Sequence, residues 1–357
     1  MLAAKANITG KALGRLGVFN RLILLSSLAY RVASSYQDAL NGCALTLATP
    51  PVKSELYHFL DGKSAMDIRH YQNACHWLAC LGSRFVAMLV LLLSFLGSAF
   101  AADHAVILMY HRFGEDQFPS TNIRLDQFDA HLEKLSNGDY SVWPLAKIVD
   151  HLQKDIPLPN RTVAITIDDA YLSVFTEAWP RLKAKEFPFT VFVATDPVDR
   201  KNRGYMSWDQ LRQLQADGVG IGSLTASHPH MHLSSLANVD IDLQKSNQRF
   251  LTELGLRPNL FAYPYGEYNL AVIERVKAAG FIAGFGQNSG VAHGYDDYFE
   301  LPRFAMNERY GAMDRLSLAI DGLPLKANQI LPADVVIGEN PPIFGFTLAP
   351  EIATNSQ

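Results

Sequence analysis

The sequence has 357 residues, of which 48% are hydrophobic and 18% are charged, and its formal net charge is −4. These proportions are those of a globular protein and exclude a chain that is mostly disordered. The small negative charge gives no reason to expect a nucleic acid or an anionic surface as a partner. The three cysteines, Cys43, Cys75 and Cys80, all lie near the N-terminus, so the rest of the chain has no thiol that could mispair in an oxidising compartment.

An apolar run at residues 85–96 follows Arg84 and leads into small residues that end at Ala101. A positive charge, a short apolar run and a small-x-small sequence are typical of a secretory signal peptide. A membrane anchor is the alternative, although the run barely reaches the length of about 20 residues that a span requires. We therefore predict that residues 84–102 are a signal peptide or membrane anchor. The folded part would then be periplasmic, extracellular or anchored facing outside the cytoplasm.

Residues 1–83 show no clear periodicity, and they precede a segment that belongs at a chain start. We interpret them as a non-native or mis-assigned extension, with the true start at Met66 or Met88. Residues 103–325 are predicted to form the folded domain. Residues 326–357 are predicted to form a C-terminal tail with loop-like stretches, either a docked extension or a fragment of a further domain.

Strands and helices are predicted to alternate from residue 104 onward. The first strand is a continuous apolar run (AVILMY), as expected of a strand that is buried on both faces. We predict strands at residues 105–110, 162–167, 189–194, 219–223, 260–263 and 281–285. We predict helices from Leu125 to a stop at Asn137-Gly138 and at residues 173–185, 207–215, 235–254 and 269–279. This alternation indicates parallel βαβ units, and polar motifs directly after several strands favour a barrel over an open sheet.

Asp168 and Asp169 follow directly on the second of these strands. Adjacent carboxylates repel each other, and a cation beside them removes that cost. One carboxylate can bind a metal ion while the other accepts a proton from water. The alternative is that the pair only caps the following helix, which aspartate does well.

Three histidines, His228, His230 and His232, lie within five residues. With Pro229 as the first residue of a helix, His228 and His232 would face the same side and share one metal ion. Imidazole and carboxylate ligands suit zinc or a similar divalent ion. A surface loop that is rich in histidine by chance is the alternative.

A third motif, Tyr263-Pro264-Tyr265-Gly266, predicts a tight turn after a strand. Such a turn leaves backbone N–H groups free to hold a developing oxyanion. Taken alone the motif is weak, because turns of this composition are common.

The order and spacing of the three motifs resemble those of the polysaccharide deacetylase family, also called NodB-homology proteins. The family motifs T-F-D-D-G, H-[S/T]-x-x-H and R-x-P-Y-G correspond to residues 166–170, 224–228 and 262–266. Residues 107–111 and Leu301-Pro302-Arg303 look like the branch that acts on exopolysaccharides. The resemblance covers about residues 104–310. It implies a distorted (β/α)7 barrel, a divalent metal ion such as zinc, and removal of N- or O-acetyl groups from a polysaccharide.

The resemblance also implies roles for individual residues. Asp168 would be the general base, Asp169 a metal ligand and His228 a second ligand. Tyr265 would offer its backbone N–H to the oxyanion. Arg303 would orient Asp168, a task that many relatives give to an arginine at the position of Ala262.

Two departures from the family pattern affect the expected site. Leu224 stands where the family has its first metal-binding histidine, and we propose His232 as the replacement ligand. The family's late catalytic histidine has no counterpart, which leaves His111 and His293 as candidate proton donors.

An acetylated polysaccharide is the expected partner, with no nucleic acid, and with membrane contact only through an N-terminal anchor. The main alternative is a weak or inactive pseudoenzyme of the same fold that only binds a glycan, for which Leu224 is the support. A glycosidase that uses Asp168 with Glu267 is a further alternative, because paired acids also cleave glycosidic bonds.

Overall fold

The computed structural model describes residues 102–334, 336–337 and 340–348. The predictions for residues 1–83 and 84–101 fall outside this range. Ala102, by contrast, is part of the folded domain, because its backbone N–H and C=O each form a 2.8 Å hydrogen bond with Leu158.

Strands and helices alternate through most of the described domain. The strands are β1 His104–Tyr110, β2 Arg112–Phe113, β3 Asn122–Ile123, β4 Ser141–Val142, β5 Thr162–Asp168, β6 Phe189–Val193, β7 Gly220–Ser223, β8 Leu260–Ala262, β9 Ala283–Phe285, β10 Ala292–His293, β11 Phe304–Ala305, β12 Ala327–Leu331 and β13 Gly345–Leu348. The helices are α1 Leu125–Asn137, α2 Leu145–Gln153, α3 Trp179–Ala184, α4 Thr195–Asp199, α5 Trp208–Ala216, α6 Leu236–Leu254, α7 Leu270–Ala278 and α8 Met313–Ile320.

The central sheet curls into a barrel of parallel strands. Its order is β1-β5-β6-β7-β8-β9, with every neighbouring pair parallel. Residues 301–305 fill the gap between β9 and β1: Leu301 forms a parallel bridge with Phe285 of β9, and Phe304 of β11 pairs with Leu108 of β1. This ring confirms the predicted α/β barrel.

Apolar side chains fill both the barrel and the layer between strands and helices. One cluster occupies the inside of the ring, and Ile107, Phe192 and Phe285 belong to it. A larger cluster lies between the strands and the outer helices, with Phe128 and Leu211 among its members. Burial of the strands on both faces explains why β1 reads as a continuous apolar run and why every position of β5 is buried.

Most predicted elements are found within one or two residues of their expected ends. The segment predicted as one helix at 173–185 differs, since it begins as a π-helical turn, Val174–Ala178, and continues as α3. Pro180 lies at the start of α3, where its missing N–H costs little. Helices α2, α4 and α8 and the short strands β2, β3, β4, β10 and β11 were not predicted.

Loop-like stretches were predicted in the C-terminal tail, and its described part also contains a pair of strands. Strands β12 and β13 pair antiparallel, with Ala327 opposite Leu348. Between residues 102 and 348, leaving out the few undescribed positions, no helix is long and apolar enough to span a membrane.

Candidate active site

The polar motifs lie together at the carboxyl ends of the barrel strands. Asp168 is the last residue of β5, His111 follows β1, the histidine segment follows β7, and Tyr265 follows β8. Parallel strands of a closed ring bring these ends to a single mouth. The fold therefore gathers side chains that are far apart in the sequence.

Asp168 and Arg303 form a buried ion pair at this mouth. Arg303 Nη1 and Nη2 donate hydrogen bonds of 2.7 Å each to Asp168 Oδ1 and Oδ2. Arg303 also donates through Nε to the Gly286 carbonyl oxygen, at 2.9 Å. Asp168 is 1% and Arg303 0% exposed, so the fork-shaped contact offsets the cost of removing both charges from water. The resemblance to the family implied this contact, which the structure contains.

The chain turns sharply directly after Asp168. Asp169 and Ala170 have φ values of +77° and +54°, in the left-handed region that non-glycine residues rarely adopt. The Asp169 N–H continues the sheet pattern by donating to the Phe192 carbonyl oxygen at 3.0 Å. The two carboxylates therefore face different surroundings, one in the barrel interior and one towards the loops.

Asp169 lies beside His228. The distance from Asp169 Oδ1 to His228 Nε2 is 3.4 Å, and both side chains are partly exposed, at 13% and 22%. A carboxylate oxygen and an imidazole nitrogen at this separation can bind the same divalent cation. Two of the three predicted metal ligands are therefore adjacent.

Hydrogen bonds hold the loop that carries His228. The Thr225 hydroxyl accepts from the His228 N–H at 3.0 Å. Asp242 of α6 accepts from the N–H groups of Ala226 and Ser227 and, at 2.5 Å, from the Ser227 hydroxyl. The loop thus depends on its own residues and on one carboxylate from the following helix.

The predicted third ligand, His232, does not join this pair. His228 has φ +57° and His230 only caps the 3-10 turn Met231–Leu233, so the expected helical turn from Pro229 does not form. His232 Nδ1 lies 3.3 Å from Glu267 Oε2, outside hydrogen-bonding geometry, and this buried nitrogen has no hydrogen-bond partner. Within the described residues no three His, Cys, Asp or Glu side chains form a metal cluster. The chain therefore provides the donor types for a divalent ion but gathers only two of the three expected ligands.

Leu224 occupies the place of the missing ligand. Its side chain is 1% exposed and belongs to the cluster inside the barrel, together with Phe192 and Phe285. A leucine there adds apolar contact at the base of the site and offers no lone pair to a cation.

Tyr265 lies at the tip of the turn after β8. It has φ +59° and is 48% exposed. Its ring stacks on His230 at 4.1 Å between centroids and 9° between planes, and it meets the edge of His228 at 4.5 Å. His230 Nδ1 in turn lies 2.6 Å from Glu267 Oε2. Within the turn, the N–H groups of Gly266 and Glu267 donate to the carbonyl oxygens of Tyr263 and Pro264.

The two candidate proton donors lie at opposite ends of the barrel. His111 directly follows Tyr110, whose partner on β5 is Ile167. His293 pairs with His104, at the amino end of β1, and its Nε2 lies 3.2 Å from Asp296. The proposal that His293 serves the site is therefore wrong, since β10 runs antiparallel to β1 and delivers it to the far end.

A group of side chains beside Asp169 was not predicted from the sequence. Tyr171 packs against Tyr205 at 4.8 Å, and the Arg112 guanidinium lies 3.4 Å from the centre of the Tyr171 ring. Burial raises the pKa of Tyr171 and of Tyr205, and the negative charge of Asp169 raises both further. The only sequence signal was the position of Tyr171, two residues after Asp169.

Several known proteins are similar to this chain in sequence. The family described as polysaccharide deacetylase matches residues 155–284. YxkH of Bacillus subtilis, whose name describes a polysaccharide deacetylase, is 23% identical over 186 residues, covering 52% of this chain and 65% of that protein. The poly-beta-1,6-N-acetyl-D-glucosamine N-deacetylase of Staphylococcus aureus is 24% identical over 234 residues, covering 58% of this chain and 80% of the relative.

Solved structures share the fold. The Streptococcus pyogenes deacetylase PplD, solved with acetate, has a TM-score of 0.56 at 20% identity, covering 61% of this chain and 99% of that one. IcaB from Ammonifex degensii has a TM-score of 0.54 at 26% identity, covering 62% and 99%. These similarities confirm the predicted (β/α)7 fold and agree with the motifs gathered at the barrel mouth. Residues 155–284 of this chain are thus similar to the polysaccharide deacetylase family.

Proposed function

We propose that this protein is a metal-dependent hydrolase that cleaves the carbon–nitrogen bond of N-acetyl groups on a polysaccharide and releases acetate. The Asp168–Arg303 ion pair beside the Asp169–His228 pair carries the proposal. It combines a firmly oriented carboxylate with a second carboxylate next to an imidazole. The name of the Staphylococcus aureus relative supports a polymer of N-acetylglucosamine as substrate. O-acetyl groups are an alternative of the same chemistry.

Asp168 would act as the general base. Arg303 occupies one direction at each carboxylate oxygen, which leaves further lone pairs to accept a proton from water. Because the guanidinium fixes the plane of the carboxylate, attack on the acetyl carbonyl would require no rearrangement of the base.

Asp169 and His228 would hold a divalent cation, for which zinc is our proposal. Such an ion supplies Lewis acidity towards a carbonyl oxygen and water. His232 remains our proposed third protein ligand, and it would have to turn away from Glu267 to reach the other two.

Tyr265 and His111 would complete the reaction. The amide N–H of Tyr265 would donate to the oxyanion that forms when water adds to the acetyl carbonyl. His111, at the same end of the barrel, would return a proton to the nitrogen of the leaving sugar amine. Acetate and a free amine are then the products.

The proposed setting is the cell envelope. The sequence of residues 84–102 supports export, followed either by release or by anchoring outside the cytoplasm. An exported enzyme would meet polysaccharides that are assembled or retained at the cell surface.

A weak or inactive pseudoenzyme that binds glycans is the second candidate, and Leu224 favours it. The deacetylases among the relatives favour an active enzyme. Metal content and turnover of the purified protein distinguish the two candidates.

The decisive experiment measures acetate release from β-1,6-linked N-acetylglucosamine oligomers, with and without a chelator, and after zinc is restored. We expect release that the chelator abolishes and zinc restores, with no new reducing ends. Reducing ends would indicate a glycosidase. Tight oligomer binding with neither acetate nor reducing ends would establish the pseudoenzyme.

A further inference from the structure

We propose that Phe118, on the loop of residues 114–121, forms an outer subsite that stacks on a sugar ring of the polymer some distance from the acetyl group under attack. This inference rests on the proposed function. It concerns residues that lie outside the three sequence motifs and that take no part in the chemistry described above.

The position of the loop is the first argument. Residues 114–121 connect β2 to β3 directly after the carboxyl end of β1, and β1 is the neighbour of β5. The loop is joined to the segment after Asp169, because the Phe113 N–H donates to the Ser173 hydroxyl at 3.2 Å. Phe118 is therefore displayed at the barrel mouth that also carries Asp169.

A continuous set of ring contacts leads from Asp169 to Phe118. Tyr171 and Tyr205 pack on each other beside Asp169. The Arg112 guanidinium lies 3.4 Å from the centre of the Tyr171 ring and 4.0 Å from that of Phe118. Tyr171 is 8% exposed whereas Phe118 is 40% exposed. Tyr171 is therefore packed inside the protein, whereas the ring of Phe118 is accessible to a ligand.

The backbone at Phe118 is held by several hydrogen bonds, although the ring is exposed. Its N–H donates to the Glu115 carbonyl oxygen at 2.9 Å, and its own carbonyl oxygen accepts from Thr121 and Asn122 at 3.0 and 2.8 Å. Asn122, which is fully buried, also accepts from the Glu115 N–H and donates to Glu308. A loop whose backbone is already hydrogen-bonded and whose ring packs on Arg112 loses less entropy when a ligand binds.

The chemistry of the ring identifies its ligand. One face of a hexosamine ring is lined with C–H groups, which pack on an aromatic face in the way that apolar surfaces pack together. Tyr265, 48% exposed, follows β8 on the other side of β5 in the strand order. Two exposed rings therefore flank the Asp169 loop, an arrangement suited to a chain of several sugars rather than to a single sugar.

The experiment compares Phe118→Ala with the wild-type full chain on β-1,6-linked N-acetylglucosamine dimer and hexamer. We expect KM for the hexamer to rise about 3- to 10-fold, with kcat and the dimer reaction unchanged. Phe118→Trp should retain hexamer affinity, while Phe118→Leu, which keeps apolar packing on Arg112 without a ring, should lose it. Tyr295→Ala is the matched control, because Tyr295 is 72% exposed and lies beside His293 at the far end of the barrel.

Unchanged hexamer kinetics, or an equal loss on dimer and hexamer, would overturn the subsite. Should the wild type release no acetate from any oligomer, the proposed function fails, and titration calorimetry with the hexamer decides the subsite by itself. Weaker binding by Phe118→Ala then supports it. Equal binding, or no binding by the wild type, refutes it.

Discussion

Arg303 donates two hydrogen bonds of 2.7 Å to the two carboxylate oxygens of Asp168, and both side chains are shielded from solvent. The guanidinium charge of Arg303 and the carboxylate charge of Asp168 neutralise each other. Removal of either partner therefore leaves a buried ion. The pair links the stability of the barrel to its proposed chemistry.

Arg303→Met is expected to lower the free energy of unfolding by roughly 3–5 kcal/mol, because Asp168 would remain buried without its partner. The double variant Asp168→Asn with Arg303→Met should recover part of that loss. Urea unfolding measures both. Lys154→Met, which removes an exposed ion pair with Asp150, is the control and should cost about 0.5 kcal/mol or less. Additive losses in the double variant would contradict the pairing.

Asp168→Asn is expected to reduce kcat roughly 100- to 10,000-fold, because the amide cannot accept the proton from water. Arg303→Lys should reduce kcat less, since it keeps the charge but loses the two-pronged contact. Acetate release measures both effects, and circular dichroism checks that the variants fold. Wild-type turnover by Asp168→Asn would remove this residue from the chemistry.

Leu224→His is expected to increase divalent metal binding, because it supplies an imidazole at the position where the family has one. Metal content after dialysis, measured by mass spectrometry, should rise relative to the wild type, with Leu224→Asn as a polar control. The same assay should show a larger loss of metal for His228→Ala than for His232→Ala, given that His232 lies against Glu267. Unchanged metal content in His232→Ala would remove this residue as the proposed third ligand.

Gly266→Ala is expected to destabilise the turn that carries Tyr265. At this position φ is +71°, and a Cβ would approach the Gln287 backbone nitrogen to 2.6 Å. Gly280→Ala is a matched control, because φ is +94° but no atom lies within 4 Å of its Cβ. The control isolates the cost of backbone strain, about 1 kcal/mol, and Gly266→Ala should cost more. Equal melting temperatures for the two variants would refute the steric argument.

Buried His131 should make the protein less stable in mild acid. Its Nε2 lies 2.8 Å from the Gly311 carbonyl oxygen and its Nδ1 3.0 Å from the Tyr110 hydroxyl, an arrangement that satisfies the neutral ring. Burial lowers the pKa of His131 below its ordinary value of 6.5, against the opposing effect of the Gly311 hydrogen bond. The unfolded chain then binds the proton more readily, so this contribution to stability is lost as the pH falls below about 6.5.

The variant His131→Gln tests this. The difference in unfolding free energy between pH 7.5 and pH 5.5 should be smaller in the variant than in the wild type. An unchanged difference would show that His131 does not contribute.

The sequence was sufficient to predict the main strands, the barrel and the central pairs of the site. A continuous apolar run marked β1 and a β-branched, largely apolar run marked β5, and the motifs placed Asp168, Asp169 and His228 at the ends of strands that converge. The likeness of Leu301-Pro302-Arg303 to relatives pointed to the partner of Asp168. Apolar patterning predicts the strands because burial of a strand is written in its own residues. The roles of the site residues came from the resemblance to the family motifs.

The positions of several other side chains depend on backbone geometry that the sequence pattern does not reveal. The i, i+4 argument for His232 assumed helical backbone, whereas His228 takes a left-handed conformation. His293 was misplaced because a two-residue antiparallel strand leaves no periodic signal of its direction. The contact between Arg112 and Phe118 arises from the fold of a loop and has no sequence motif.

The residues that complete the barrel also deliver Arg303, 135 positions after Asp168 in the sequence. During translation, β5 with Asp168 leaves the ribosome well before Arg303 has been synthesised. A nascent chain that stops short of Arg303 would hold an uncompensated carboxylate in a half-formed apolar interior, which opposes premature closure. The same late segment would thus both close the barrel and neutralise Asp168. A translation product that is truncated before Arg303 would therefore lack a complete barrel and an oriented Asp168.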